Sequence, residues 1–397
     1  MKISVLLPTR NRLTLLRYAV ESVLRQDYDD WEVIISDNHS EEDIAGYVAG
    51  LNDPRVLYSR TGTSIPVTEN WNLALKRSSG DYIVMLGDDD CLTKGYFRTV
   101  SCLAREYRFP DFLYHKALVY AYPGVVPGFP DGYLRENACA PFFNRPDGPF
   151  LLDPRTARSL VAGSMNFRVL FDFNMQYSLI SRRFMETLKG HGDFFQSPYP
   201  DYYASNVMFL KGKKVLVYPK PLVIIGVSPK SFGYYFSNLQ EEKGVAFLGN
   251  TEQLSSDPHL SDVILPGTAM NTSWLIAMEL LRRNYDRECA EHDLRVNYLR
   301  YRFLQILTVY YGHYRSGTHT REQVALLRKS MKLWERILIG WPLALGASIG
   351  PSIGKIAPSP GAFFWKHFTP YPNAGVRSYV GKYENILDVF ERVNPLA

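Results

Sequence analysis

Cysteine is scarce in this sequence, and the little there is carries no pattern. Cys91, Cys102, Cys139 and Cys289 show no CxxC spacing and no companion histidines, which argues against a zinc module or a disulfide framework and fits a reducing cytoplasm. Blocks of one charge are also missing. Lys+Arg number 45 against 40 Asp+Glu, and the excess is spread along the chain, so nucleic acid is not an expected partner. No GxGxxG occurs. The nearest approach to a P-loop, Gly350-Pro351-Ser352-Ile353-Gly354-Lys355-Ile356, has the wrong spacing and no Ser/Thr after the lysine. Internal repeats are absent, which sets solenoids aside. The apolar run Ile3 to Leu7 is too short for a signal peptide and lacks a small-residue cleavage site; a first strand is expected instead.

Apolar material is plentiful. Hydrophobic residues make up 46% and charged residues 21% of 397, a globular composition with enough length for two or three structural units. Ile3 to Leu7 ends at Pro8 and reads as a strand buried on both faces. A loop, Thr9-Arg10-Asn11, leads to a helical stripe through Leu13, Leu16, Val20 and Val23, and Trp31 to Ile35 follows as a second strand. Such a βαβ unit predicts a parallel pair whose ligand lies beyond the carboxyl ends of the strands. Alternation continues through a weak strand at Arg55 to Tyr58, a helix at Glu69 to Ser78, and an apolar strand, Tyr82 to Leu86, running straight into Gly87-Asp88-Asp89-Asp90. A helix carrying Tyr96, Val100, Leu103 and Tyr107 closes this half.

Residues 108 to 180 are rich in aromatics, Pro and Gly, and turns and irregular loops are expected to dominate there. Order is expected to return at Met175 to Ser181, in helices around Arg183 to Lys189 and Asp201 to Leu210, and in a strand at Val215 to Tyr218. Beyond residue 237 the periodicity predicts an all-helical extension, clearest at Trp274 to Leu281, Leu294 to Val309 and Arg321 to Ile339. Ile337 to Gly354 runs 18 residues without a charge. Its Gly and Pro residues would break a spanning helix, so an interfacial or re-entrant segment fits better than a span, followed by Phe363-Phe364-Trp365-Lys366-His367, a mixture suited to a headgroup surface. Ordinary packing as an apolar loop is the first expectation, and membrane-surface contact the alternative.

Three consecutive carboxylates at a strand end repel one another, and a divalent cation is the natural offset. Mg²⁺ and Mn²⁺ commonly bridge one or two such carboxylates to substrate phosphates. The alternative is a solvated acidic turn. Arg10 and Arg12 in the first loop have the charge for a phosphate contact.

The runs Pro8-Thr9-Arg10-Asn11-Arg12, Ile34-Ile35-Ser36-Asp37-Asn38-His39-Ser40, Asn70-Trp71-Asn72 and Gly80-Asp81-Tyr82 through Asp90 together resemble the family 2 glycosyltransferases of the GT-A fold over residues 1 to 105. The resemblance implies an α/β fold, Rossmann-like, with a mostly parallel central sheet, helices on both faces and, here, a C-terminal all-helical extension. It divides the chain into a nucleotide-sugar half (1–105), an acceptor half (106–236) and the extension (237–397). Asp37 would read the base, and Pro8, Thr9 and Asn11 would add base and ribose contacts. Arg10 and Asn70 would complete the donor site. Asp88 would meet the ribose and Asp89 the metal, Mn²⁺ or Mg²⁺, with Asp90 as an alternative ligand. Many members have Asp where this chain has Gly87.

The same resemblance implies a catalytic base at a helix start about a hundred residues later, which selects Asp201, with Asp193 and Asp172 as rivals. Asp37 and its neighbours, Asn70 and Asp201 could instead be turn or helix-capping residues. The family's further metal contact, a His, is missing from Leu222 to Phe232, where Ser228, Lys230 and Ser231 are the polar residues; Lys230 could meet the diphosphate. The implied activity is inverting transfer from a nucleotide sugar, a UDP-sugar in the first instance, to a glycan or lipid-linked acceptor in surface polysaccharide synthesis. A cytoplasmic enzyme, peripheral on the inner face of the plasma membrane, is expected. The competing readings are an inactive sugar-nucleotide or glycan-binding module and a sugar-phosphate nucleotidyltransferase.

Overall fold

The computed structural model describes residues 1–137, 140–144, 148–231, 234–235, 238, 240–249, 260–345 and 378–395. The first half alternates as the sequence pattern predicts: β1 (Ile3–Thr9), α1 (Leu13–Leu24), β2 (Trp31–Asp37), α2 (Ile44–Leu51), β3 (Val56–Arg60), α3 (Val67–Arg77) and β4 (Tyr82–Met85). Strands β4, β1, β2 and β3 lie side by side and parallel, with Ile3 opposite both Trp31 and Tyr82. Nearly every residue of β1, β2 and β4 is buried, as strands covered on both faces must be. Their shared direction brings Thr9, Asp37 and the Gly87–Asp90 loop to one edge of the sheet.

The next segment corrects the expectation of loops. After β5 (Cys91–Leu92) and α4 (Tyr96–Glu106), residues 112–121 form the ten-residue strand β6 (Phe112–Ala121), followed by β7 (Tyr133–Asn137), β8 (Phe150–Leu151) and α5 (Pro154–Met165). The aromatics that suggested irregularity are core: Phe112 and Tyr114 are buried and ringed by Phe142, Phe171, Tyr177 and Phe209. Strand β9 (Ser178–Ser181) runs antiparallel to both β4 and β6, stitching the two halves into one mixed sheet. α6 (Arg182–Glu186) and α7 (Pro200–Lys211) follow. The expected four-residue strand at Val215 is in fact β10, Val215–Val227, thirteen residues paired parallel to β6 through two register shifts at Tyr218 and Pro221. Proline cannot donate a ladder bond, so the irregularity falls there.

Helices Ala269–Asn284, Tyr298–Tyr311 and Arg321–Ser330 are the longest described in the extension, with shorter ones at Glu241–Leu248, Asp286–Glu291 and from Leu333. It is not wholly helical. Strand β11 (Ser378–Tyr379) pairs with β7, and the helix Ile386–Arg392 packs Ile386, Val389 and Phe390 beside Cys91, Leu118 and Ile224 of the main sheet. The second half of the apolar stretch from residue 337, and all of Phe363 to His367, lie outside the described residues. Among those described, no helix is long and apolar enough to cross a membrane.

Candidate active site

A cleft of about 430 Å³ opens at the carboxyl ends of β1 and β4. Pro8, Thr9, Arg10, Asn70, Asp88, Asp89, Asp90 and Asp201 all line it. Residues separated by nearly 200 positions therefore share one cavity.

The three aspartates have different partners. Asp88 accepts from the Thr9 hydroxyl and from the Arg12 guanidinium, both at 2.7 Å. Asp90 is the most engaged: its oxygens accept from the Gly87 and Gly226 N–H groups at 3.0 and 2.9 Å and from Gln176 Nε2 at 2.8 Å. Asp89 accepts from the Ser228 hydroxyl at 3.1 Å and has Arg12 at 3.8 Å. Burial pushes the Asp89 and Asp90 carboxyls above the usual carboxylate range, and the neighbouring aspartate adds to this. Burial opposes the Arg12 charge, but Asp88 and Asp89 outweigh it and hold the guanidinium protonated. Three aspartates crowd one arginine in ion-pair contact here, while among the described residues no group of three or more His, Cys, Asp or Glu side chains is placed to hold a metal ion. Both expected ligands line the cleft, but Asp89 is the less tied, with Ser228 as its hydroxyl donor, whereas the oxygens of Asp90 already tie the aspartate loop to the end of β10.

Two glycines make this packing possible. A Cβ on Gly226 would stand 2.0 Å from the Asp89 carbonyl oxygen, so β10 can approach the loop only without a side chain there. A Cβ on Gly87 would stand 2.5 Å from an Asp90 carboxylate oxygen. The glycine that replaces the more usual aspartate therefore makes room for the inward-turned Asp90.

Asp37 and Asn11 do not line the cleft. The Asp37 carboxylate is buried and accepts from the Ser40 N–H at 2.9 Å and the Tyr58 hydroxyl at 2.8 Å, with Arg60 at 3.7 Å. Burial and that carboxylate push the Tyr58 hydroxyl up to about 12, so it stays a donor. Asn11 takes a left-handed turn at φ 53° and joins the loop to Ser40 and Glu41. Asn38 is the residue of this turn that reaches the cleft, held by two bonds to the Ile65 backbone.

Helix α3 works as a hub. Asn70 exchanges two hydrogen bonds with Ser36 at the end of β2, and is an interior helix residue rather than a cap. Asn72 exchanges two with the Phe195 backbone, and Thr68 donates to the Ser197 carbonyl. These bonds set the segment that enters α7, whose second residue is Asp201 after Pro200 at the first turn. Asp201 is half-buried by exposure but closely surrounded by protein, and this desolvation pushes its carboxyl up to about 7 against the Tyr202 N–H that donates to it at 3.1 Å. The rivals lie elsewhere: Asp193 pairs with Lys76 at 3.5 Å, and Asp172 accepts from Asn137. Neither lines the cleft.

Gln176, Gly226 and Tyr58 escaped the sequence reading, and Ser228 was visible only as one polar residue among three. A glycine followed by serine two residues on, at the end of a long apolar run, was the one available signal. Lys230 donates to the Asn11 carbonyl at 2.7 Å and so borders the first loop.

Residues 4–107 match the glycosyl transferase family 2 model. The likeness to family 2 glycosyl transferases lies in this segment. It contains every motif of the aspartate loop and the first strand ends. Among curated proteins, the chain is 35% identical over 135 residues to WcaA of Escherichia coli (strain K12), which carries a colanic acid biosynthesis glycosyl transferase name; the match covers 32% of this chain and 48% of WcaA. It is 37% identical over 109 residues to the GalNAc(5)-diNAcBac-PP-undecaprenol beta-1,3-glucosyltransferase of Campylobacter jejuni, covering 26% of this chain and 35% of that protein. The chain thus spans about half the length, or less, of these curated relatives. A solved structure of S. aureus TarS residues 1-349 aligns over 86% of this chain and 92% of its own, with 16% identity and a TM-score of 0.47. The expected GT-A-type α/β fold with a helical C-terminal region agrees with the elements described above, but the sheet is mixed rather than mostly parallel: β4, β1, β2 and β3 run parallel, whereas β5, β7, β8, β9 and β11 pair antiparallel.

Proposed function

We propose that the protein is an inverting glycosyltransferase that moves a sugar from a nucleoside-diphosphate sugar, in the first instance a UDP-sugar, to a hydroxyl of a glycan or lipid-linked acceptor in surface polysaccharide synthesis. One observation carries this reading: the Asp88–Asp90 loop and Asp201, supplied by distant segments, line the same cleft.

Asp201 takes the proton from the acceptor hydroxyl as its oxygen attacks the anomeric carbon. The bond from that carbon to the diphosphate breaks, and configuration inverts. A carboxyl whose proton affinity is raised by burial is a stronger base than an exposed aspartate, yet is still ionised near neutrality. Mn²⁺ or Mg²⁺ bound at Asp89 would supply positive charge to the departing diphosphate. Arg12, fixed between Asp88 and the carbonyl of Lys230, adds a permanent positive charge to the same loop. Trp71, Tyr199 and Tyr202 also line the cleft and give it an aromatic wall on which the apolar face of a sugar ring can rest. Asn38 and Asn70 line the cleft and Asp37 does not, so these amides, with Thr9 and Arg10, are the polar side chains we assign to the nucleotide.

A donor screen by thermal shift with Mn²⁺ tests this. One nucleotide sugar is expected to raise the melting temperature and to be hydrolysed slowly, and chelator should stop the hydrolysis. Stabilisation without any turnover, across a panel of acceptors, would favour a binding module instead.

A further inference from the structure

The helical stretch from Leu333 to Leu345 is turned the opposite way from an ordinary surface helix. Its one acidic residue, Glu335, points inward and is fully buried, accepting from Arg302 at 2.6 and 2.7 Å and from the Lys332 N–H at 2.7 Å. Gly340 lies buried against Tyr310, where a Cβ would stand 2.8 Å from the hydroxyl, and Ile339 and Leu343 pack on the cluster of Ile306, Val309 and Leu327. These contacts settle which side faces the protein. The other side carries Leu333, Trp334, Ile337, Leu338, Trp341 and Leu345, exposed by between 42% and 72%. Apolar surface of this extent, contiguous along one helix, marks an interaction site.

Charge identifies the partner. From Val324 to Leu345 the basic residues are Arg328, Lys329, Lys332 and Arg336, and the sole acid is the buried Glu335. Between residues 324 and 345 the outward surface is therefore tryptophan and leucine bordered by cations, and that segment exposes no carboxylate. A protein partner would need a matching acidic rim around an apolar groove; an anionic bilayer offers both in one surface, headgroup charge above hydrocarbon. The stretch is roughly 20 Å long at 1.5 Å per residue, short of the roughly 30 Å hydrocarbon core, so it would lie in the interface rather than cross. Trp334 and Trp341, seven positions apart, share one side and can both rest at headgroup depth.

We propose that Leu333–Leu345, with Lys329 and Lys332 beside it, docks the protein flat on an anionic lipid bilayer. This places the contact earlier in the chain than the apolar sequence run suggests, on a side of the helix that only packing defines. It does not depend on the donor-site reading, although a lipid-linked acceptor would be reached from such a surface.

The test is flotation of the full chain with phosphatidylcholine vesicles containing phosphatidylglycerol, and with phosphatidylcholine alone. Flotation is expected with the anionic vesicles only, accompanied by a blue shift of tryptophan emission. Trp334→Ser/Leu338→Ser/Trp341→Ser should abolish it, and Lys329→Glu/Lys332→Glu should weaken it on the order of 30-fold or more, taking each basic residue at the surface as roughly fivefold. Both variants should keep the melting temperature and the donor-induced thermal shift, which separates this result from any failure of the active site. Failure of the wild type to float overturns the proposal. So does equal flotation of the serine variant, or a wild-type dimer that this variant splits while neither binds vesicles. A large fall in melting temperature for the serine variant would show that the face is packed against protein, and would equally overturn it; the lysine pair, exposed in the fold, reads flotation without altering an apolar side chain.

Discussion

The hydroxyl of Ser228 donates to the Asp89 carboxylate across 139 positions of sequence, fixing the orientation of the side chain proposed above to hold a cation. Orientation of this kind commonly affects metal affinity or activity by about 10- to 100-fold. Ser228→Ala is expected to raise the Mn²⁺ concentration needed for half-maximal donor hydrolysis within that range, with a small change in melting temperature. Measuring hydrolysis against Mn²⁺ concentration checks it.

Asp89 and Asp90 should separate cleanly. Asp90 holds three segments together through its bonds to Gly87, Gly226 and Gln176, and Asp90→Ala leaves those donors buried without an acceptor. A loss of about 1–3 kcal/mol per unsatisfied donor is the expected scale. Asp89→Ala, by contrast, should abolish metal-dependent turnover and leave stability near wild type. Urea unfolding and hydrolysis assays on the two variants give opposite patterns if these roles are right.

Removing Arg12 leaves Asp88 buried beside Asp89 with its main cation gone. Breaking such a buried pair costs about 3–5 kcal/mol. Arg12→Met should therefore lower stability in chelator and recover part of it on addition of Mn²⁺ or Mg²⁺, by more than the wild type gains. Thermal melts with and without metal measure the difference.

Asp201 predicts two pH effects of opposite sense. As a base it must be ionised, so transfer should rise as pH passes about 7 and level off above. For stability the folded state holds the proton up to about 7 while the unfolded chain releases it near 4. Between those values the folded form binds more protons, so stability falls with rising pH. Asp201→Asn should lose transfer by about 10²- to 10⁴-fold, keep the donor-induced thermal shift, and melt higher than wild type at pH 8. Retained transfer would assign the proton abstraction to another group.

Asn72 tests whether α3 positions the base. Its two bonds to Phe195 hold the segment before Asp201. Asn72→Leu is expected to lower kcat for transfer while leaving KM for the donor little changed, since the residue does not line the cleft. A loss confined to donor KM would contradict that role.

Local pattern by itself determined the β1–β4 alternation and the cleft at its carboxyl end, because buried parallel strands are short apolar runs and the helices between them repeat every 3.6 residues. The aspartate loop was legible for the same reason: three carboxylates after a buried strand have few other uses. Tertiary structure decided the rest. The aromatic segment around Tyr114 reads as loop in sequence, and becomes strand because its rings pack against α7 and β9, a contact no local window contains. Asp88, Asp89 and Asp90 are chemically identical in sequence; burial and distant partners, Arg12, Ser228 and Gln176, paired one with a cation, set one against a hydroxyl and made one a structural clip. Hydrogen-bond geometry acts over a few ångströms, and only the folded chain determines which residues are that close.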